Sequence, residues 1–169
     1  MTRRAIAAKW ILYCLCALLL MCLQGLVLVH VRVWGVHPFL LPAAAVIPAT
    51  LERNEQSLIY AVFFGILCDL LIPVAGLPCF YALAFLVGAV IAWLLSGQVL
   101  AAGLVCSLAA TAVSLAVCSL LHLAVLAGSQ PVDASAAAML AGKEALLSLP
   151  LTVLAHYPFR KVCLATQRD

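Results

Sequence analysis

From Leu70 to Val132 the chain runs 63 residues without one formally charged side chain. A hydrocarbon slab about 30 Å thick is crossed by roughly 20 apolar helical residues, so this stretch holds at least two spans. Charged residues make up 9% of the sequence and hydrophobic residues 67%, against a soluble norm of about 25% charged. The lipid bilayer is therefore the expected surroundings. The 169 residues leave room for five or six spans with short connections and no soluble catalytic domain. The chain reads as one all-α polytopic membrane domain, residues 1–169.

The distribution of charge sets the orientation. The net charge is +3, and the basic residues gather at the two ends: Arg3, Arg4 and Lys9, then Arg160, Lys161 and Arg168. Basic clusters beside a span stay on the cytoplasmic side, so both termini are expected there and the number of spans is even. Such clusters can also serve nucleic acid or anionic lipid. Three charges at each end are ordinary for topology alone, and no nucleic-acid partner is expected. The opening resembles a secretory signal, but its apolar run, Trp10 to Val31, is followed by Arg32 and Trp34 and not by a small-residue cleavage site. It reads as a retained signal-anchor helix.

Six spans can be drawn, at about 10–31, 35–50, 56–71, 77–95, 99–126 and 135–158. The second carries Pro38, Pro42 and Pro48 and is expected to be kinked or partly irregular. The polar cluster Glu52-Arg53-Asn54-Glu55 precedes the third at the inner face. Ser96-Gly97-Gln98 separates the fourth from the fifth. A turn-rich break from Gly128 to Asp133 precedes the sixth, with Asp133 or Ser135 as its N-cap. This threading leaves Arg32 as the single basic residue of the outer loops. Small residues Gly103, Ser107, Thr111, Ser114 and Cys118 form a stripe on the fifth span, and Ala61, Gly65 and Asp69 share a face of the third. Such faces let helices approach closely in lipid.

Signatures of catalysis are absent: there is no GxxxxGK phosphate loop, HExxH, GxSxG or paired-cysteine metal site. No enzyme activity, cofactor or metal is expected. The eight cysteines include no CxxC pair and read as small apolar residues. His30, His37, His122 and His156 are scattered, most of them near span ends, where interfacial polar groups need no special role. His122 is the one kept in view.

Asp69, Lys143 and Glu144 are the charges within the membrane. Such residues are expensive in lipid and face a protein interior or a water-filled cavity. At about 1.5 Å per residue, Asp69 lies about 20 Å up the third helix and Lys143 roughly 12 Å down the sixth. Matched depth and opposite sign predict an ion pair, or a water-bridged pair, between them. Glu144, pointing elsewhere, is expected to face a cavity or a partner helix.

The chain contains, in order, His37-Pro38-Phe39-Leu40-Leu41, Glu55, Phe64-Gly65-Ile66-Leu67-Cys68-Asp69-Leu70, Gly76-Leu77, Tyr81-Ala82-Leu83, Leu149-Pro150-Leu151 and Arg160-Lys161. This set resembles the rod shape-determining protein MreD family over nearly the whole chain. The most specific piece is Gly65-x-x-x-Asp69-Leu70 followed by Gly-Leu and the aromatic-Ala-Leu run. Two departures stand out. No glycine follows the acidic residue of the Glu52 to Gln56 cluster, and Pro78-Cys79 interrupts the later spacing.

The resemblance implies a non-enzymatic scaffold of the bacterial cell-elongation machinery in the cytoplasmic membrane. Its partners would be an MreC-type membrane-anchored protein and, indirectly, MreB filaments and the peptidoglycan synthases. It also implies a six-helix bundle similar to the S components of energy-coupling-factor transporters. The residues singled out are Gly65, Asp69, Gly76, Lys143 and Glu144 within the membrane, and Glu52, Arg53, Glu55, Arg160 and Lys161 for partner contact or topology. An S component that binds a vitamin or another solute is the competing class. It would want an Ala-x-x-x-Ala face on the first helix, where Ala17 is instead followed by Met21 and Gly25. It would also want polar and aromatic groups converging from outer loops, and these loops are poor in both.

Overall fold

A computed structural model describes residues 3–52, 54–72, 78–98, 103–129 and 133–166. These residues form six α-helices: α1 (Arg3–Leu26), α2 (Leu41–Glu52), α3 (Glu55–Leu71), α4 (Phe80–Gln98), α5 (Leu104–Ser129) and α6 (Ala134–Thr166). Three helical segments, Ile6–His30, Leu104–Gly128 and Ser135–Ala165, are long and apolar enough to cross a membrane. The outer surface has the character lipid requires. Leu70 is 76% exposed, Phe63 70% and Leu154 67%, while Ser107, Thr111, Ser114 and Ser148 are fully buried. Large exposed apolar surface around an interior that also buries small hydroxyl side chains sets the bundle apart from a water-soluble domain.

The bundle is built around α2, whose residues Leu41 to Thr50 are all buried. It packs against each of the other five helices. Its alanines, Ala43, Ala44, Ala45 and Ala49, carry almost no side chain to hold neighbours away. Pro48 lies inside the helix, where it has no N–H to offer and frees the carbonyl four residues earlier, that of Ala44. The Tyr60 hydroxyl on α3 donates to that carbonyl at 3.1 Å. An unpaired carbonyl in an apolar interior is thereby avoided.

The sequence predicts a helix from residue 35, and the structure begins it at Leu41. Before it, Trp34 and Gly35 take φ values of 54° and 82° in a tight turn closed by paired Val33 and Val36 backbone bonds at 3.1 Å. Two successive positive φ angles are incompatible with a right-handed helix. The chain then stays non-helical to Leu40, so its peptide groups need outside partners. Gln24 on α1 supplies two of them: its amide donates to the Pro38 carbonyl at 2.8 Å and its oxygen accepts from the Leu40 N–H at 2.9 Å. Ser148 Oγ on α6 accepts from the Phe39 N–H at 2.8 Å.

One end of the bundle is closed by charge. Lys9 on α1 forms an ion pair with Glu52 at the end of α2, and the Tyr13 hydroxyl donates to the same carboxylate at 2.8 Å. Trp10 Nε1 donates to Gln56 Oε1 on α3 at 2.7 Å, and the Tyr13 ring stacks on Phe159 of α6 at 5.8 Å. The start of α1 and the last turns of α6 therefore meet at the same end. Lys9, read from the sequence as a juxtamembrane charge, is instead a buried partner of Glu52. The N-cap of α6 is Asp133, whose carboxylate accepts from the Ser135 N–H at 3.0 Å and Oγ–H at 2.8 Å.

Candidate functional site

The residues Ala61, Gly65 and Asp69 do share a face of α3, and that face meets α4. A Cβ on Gly65 would lie 2.5 Å from Ala82 Cα and 2.8 Å from the Ala82 nitrogen and the Tyr81 oxygen. Glycine is what allows the two backbones to touch. One turn further along α3, the Asp69 carboxylate accepts from the Tyr81 N–H at 2.8 Å and the Ala82 N–H at 3.0 Å. These are orphan donors of the first turn of α4, and a carboxylate there also complements the helix dipole. Asp69 is therefore a capping group supplied from a neighbouring helix.

That role overturns the expected Asp69–Lys143 ion pair, which the structure does not contain. Both Asp69 oxygens are engaged at α4, and α3 packs on α2 and α4 whereas α6 packs on α1, α2 and α5. Equal depth placed the two charges at one level, but the buried α2 stands between their helices. Lys143 is half-buried on α6. At the opposite end from Asp69, Glu52 is held by Lys9 and Tyr13, whereas Glu55, Arg160 and Lys161 are exposed. Arg53 and Gly76 lie outside the described residues.

Glu144 faces a cavity of about 640 Å³ between α5 and α6, closed on its third side by Phe39 and the start of α4. It lies at the end of the bundle away from the Lys9–Glu52 pair. Its walls include Phe80, Tyr81, Ser119 and His122. Phe80 meets the His122 ring edge-on at 5.5 Å and Tyr81 at 5.1 Å, and Phe39 lies 6.0 Å from Tyr81. The sequence leads one to expect outer loops poor in such groups, but the pocket draws Phe39 from the loop between α1 and α2 and its other aromatics from the first turn of α4.

A second polar cluster lies in the core. Ser107 Oγ on α5 is 2.9 Å from Thr50 Oγ1 on α2 and 3.0 Å from His156 Nδ1 on α6. His156 is 1% exposed, which corrects its reading as an interfacial residue. α6 continues to Thr166, so residue 156 lies well inside the helix and not at its end. Among the described residues, no group of three or more His, Cys, Asp or Glu side chains is arranged to hold a metal ion, and none of the eight cysteines is in a disulfide. No family model, curated protein or solved structure matches the chain.

Proposed function

We propose that this chain is a non-enzymatic scaffold of the bacterial cell-elongation machinery, resembling the MreD family. On this reading it crosses the cytoplasmic membrane six times with both termini inside. It binds an MreC-type membrane-anchored protein and acts through it on MreB filaments and the peptidoglycan synthases. The observation that carries the reading is the α3–α4 joint. Gly65, Asp69, Tyr81 and Ala82 belong to the most specific segment of the resemblance, and they meet in one structural unit. Residues scattered by chance would have no reason to complete each other in this way.

The surface of α1 agrees with this reading. Ala17 is buried and cannot contribute to a small-residue coupling face, and the exposed side presents Ile11, Leu15, Leu18 and Leu19. The competing reading, a solute-binding transporter subunit, is favoured by the cavity beside Glu144. Detergent copurification separates the two. A scaffold should carry an MreC-type partner through solubilisation, because packing within the membrane makes the contact. Loss of that partner, together with association with a transporter ATPase complex, would favour the transporter subunit.

A further inference from the structure

We infer that the cavity between α5 and α6 is a binding site for an organic ammonium: a compact apolar body bearing one positive charge, seated against Glu144. Its volume, about 640 Å³, lies within the about 300–1,000 Å³ common for small-ligand sites. The lining is mostly aliphatic and aromatic, which suits an apolar body. Glu144 is the acidic residue in that wall. Among the described residues, its carboxylate has neither a hydrogen-bond donor nor an ion-pair partner, since the ion pair there is Lys9–Glu52.

A half-buried carboxylate without a partner, on the wall of an apolar cavity, favours a counter-charge, and the rest of the wall says what kind. Phe39, Tyr81 and Phe80 follow one another at ring separations of 6.0 and 5.1 Å, and all three line the cavity. Aromatic faces attract ammonium groups through the ring quadrupole, most strongly where water is excluded. A carboxylate and three rings on one apolar cavity therefore select an alkylated ammonium over an anion or a neutral solute. His122, edge-on to Phe80, adds a ring nitrogen for a polar substituent. The ammonium can belong to a soluble amine or to an aminophospholipid headgroup. The site's geometry is the same whether the protein serves wall elongation or uptake.

The test is calorimetric titration of the full chain in phosphatidylglycerol nanodiscs, with empty discs as the blank. Phenyltrimethylammonium is the probe and tert-butylbenzene its uncharged isostere. The cation should bind saturably and about tenfold more tightly than the isostere, a gap of the size expected for one desolvated ammonium contact. Glu144→Gln should erase that preference and leave isostere binding unchanged. Ala141→Phe, which fills the space without altering charge, should abolish both. Adding phosphatidylethanolamine to the discs assigns the source: competition identifies the lipid headgroup, and no competition identifies a soluble amine. Equal affinity for cation and isostere in the unmodified protein overturns the proposal even if Glu144→Gln fails to fold, and so does undiminished cation binding by a folded Glu144→Gln.

Discussion

At Gly65 the spacing of two helices is set by the absence of a methyl group. An added Cβ would strike backbone atoms of Tyr81 and Ala82, none nearer than 2.5 Å or farther than 2.8 Å, and backbone cannot rotate away as a side-chain tip can. Gly65→Ala should therefore destabilise the bundle by about 1–3 kcal/mol, the usual scale for overpacking, read as a lowered thermal midpoint in detergent. Asp69→Ala should lose about 0.5–2 kcal/mol by uncapping α4, with Asp69→Asn losing less because Asn still accepts a hydrogen bond. Outside the membrane, the Ser135 hydroxyl and N–H hold the exposed Asp133 carboxyl below its ordinary value. Because the folded value is the lower one, this cap is complete above the unfolded carboxylate range of about 3.9. It is lost as pH falls through the depressed folded value. Titrating the Ser135 amide by NMR should show that transition, and Asp133→Ala should remove it.

Among the elements, α2 depends on its neighbours more than any other helix. Pro48 frees the Ala44 carbonyl and Tyr60 satisfies it at 3.1 Å, so the proline and the tyrosine should be energetically coupled. Tyr60→Phe should cost about 1–3 kcal/mol by orphaning a buried acceptor. In a Pro48→Ala background the helix can use that carbonyl itself, and the same change should cost clearly less. Equal costs in a double-mutant cycle would break the link. Hydropathy and punctuation made six helices legible in the sequence, including the irregular stretch around Pro38 and an N-cap at Asp133 or Ser135. The start of α2 was not legible, because a tight turn at Trp34 and Gly35 and the clamp from Gln24 are decided by tertiary contacts. Asp69 and Glu144 stood out as costly, but whether Glu144 meets a cavity or a partner helix stayed open in the sequence. The partner of Asp69 was not legible, since distance along a helix axis fixes depth and says nothing about which side of the bundle a residue occupies. Ser107 showed only as a small residue of a packing stripe and His156 only as a scattered histidine, because their convergence with Thr50 needs three helices in place.

For the whole molecule, the Lys9–Glu52 pair and the Tyr13–Phe159 stack bring the start of α1 and the last turns of α6 to one end, while the Glu144 cavity lies nearer the other. With the basic clusters held inside, reporter fusions at either terminus should behave as cytoplasmic, and one inserted after Asp133 should behave as external. On that orientation the cavity would lie in the outer half of the bilayer and the ion pair at the inner face. The most direct measurement of function is depletion of the protein from rod-shaped cells of its source, following cell outline and solute uptake together. Rods should round into spheres while uptake is unchanged. Rods that keep their shape while uptake of a solute fails would contradict the scaffold and leave a transporter subunit in its place.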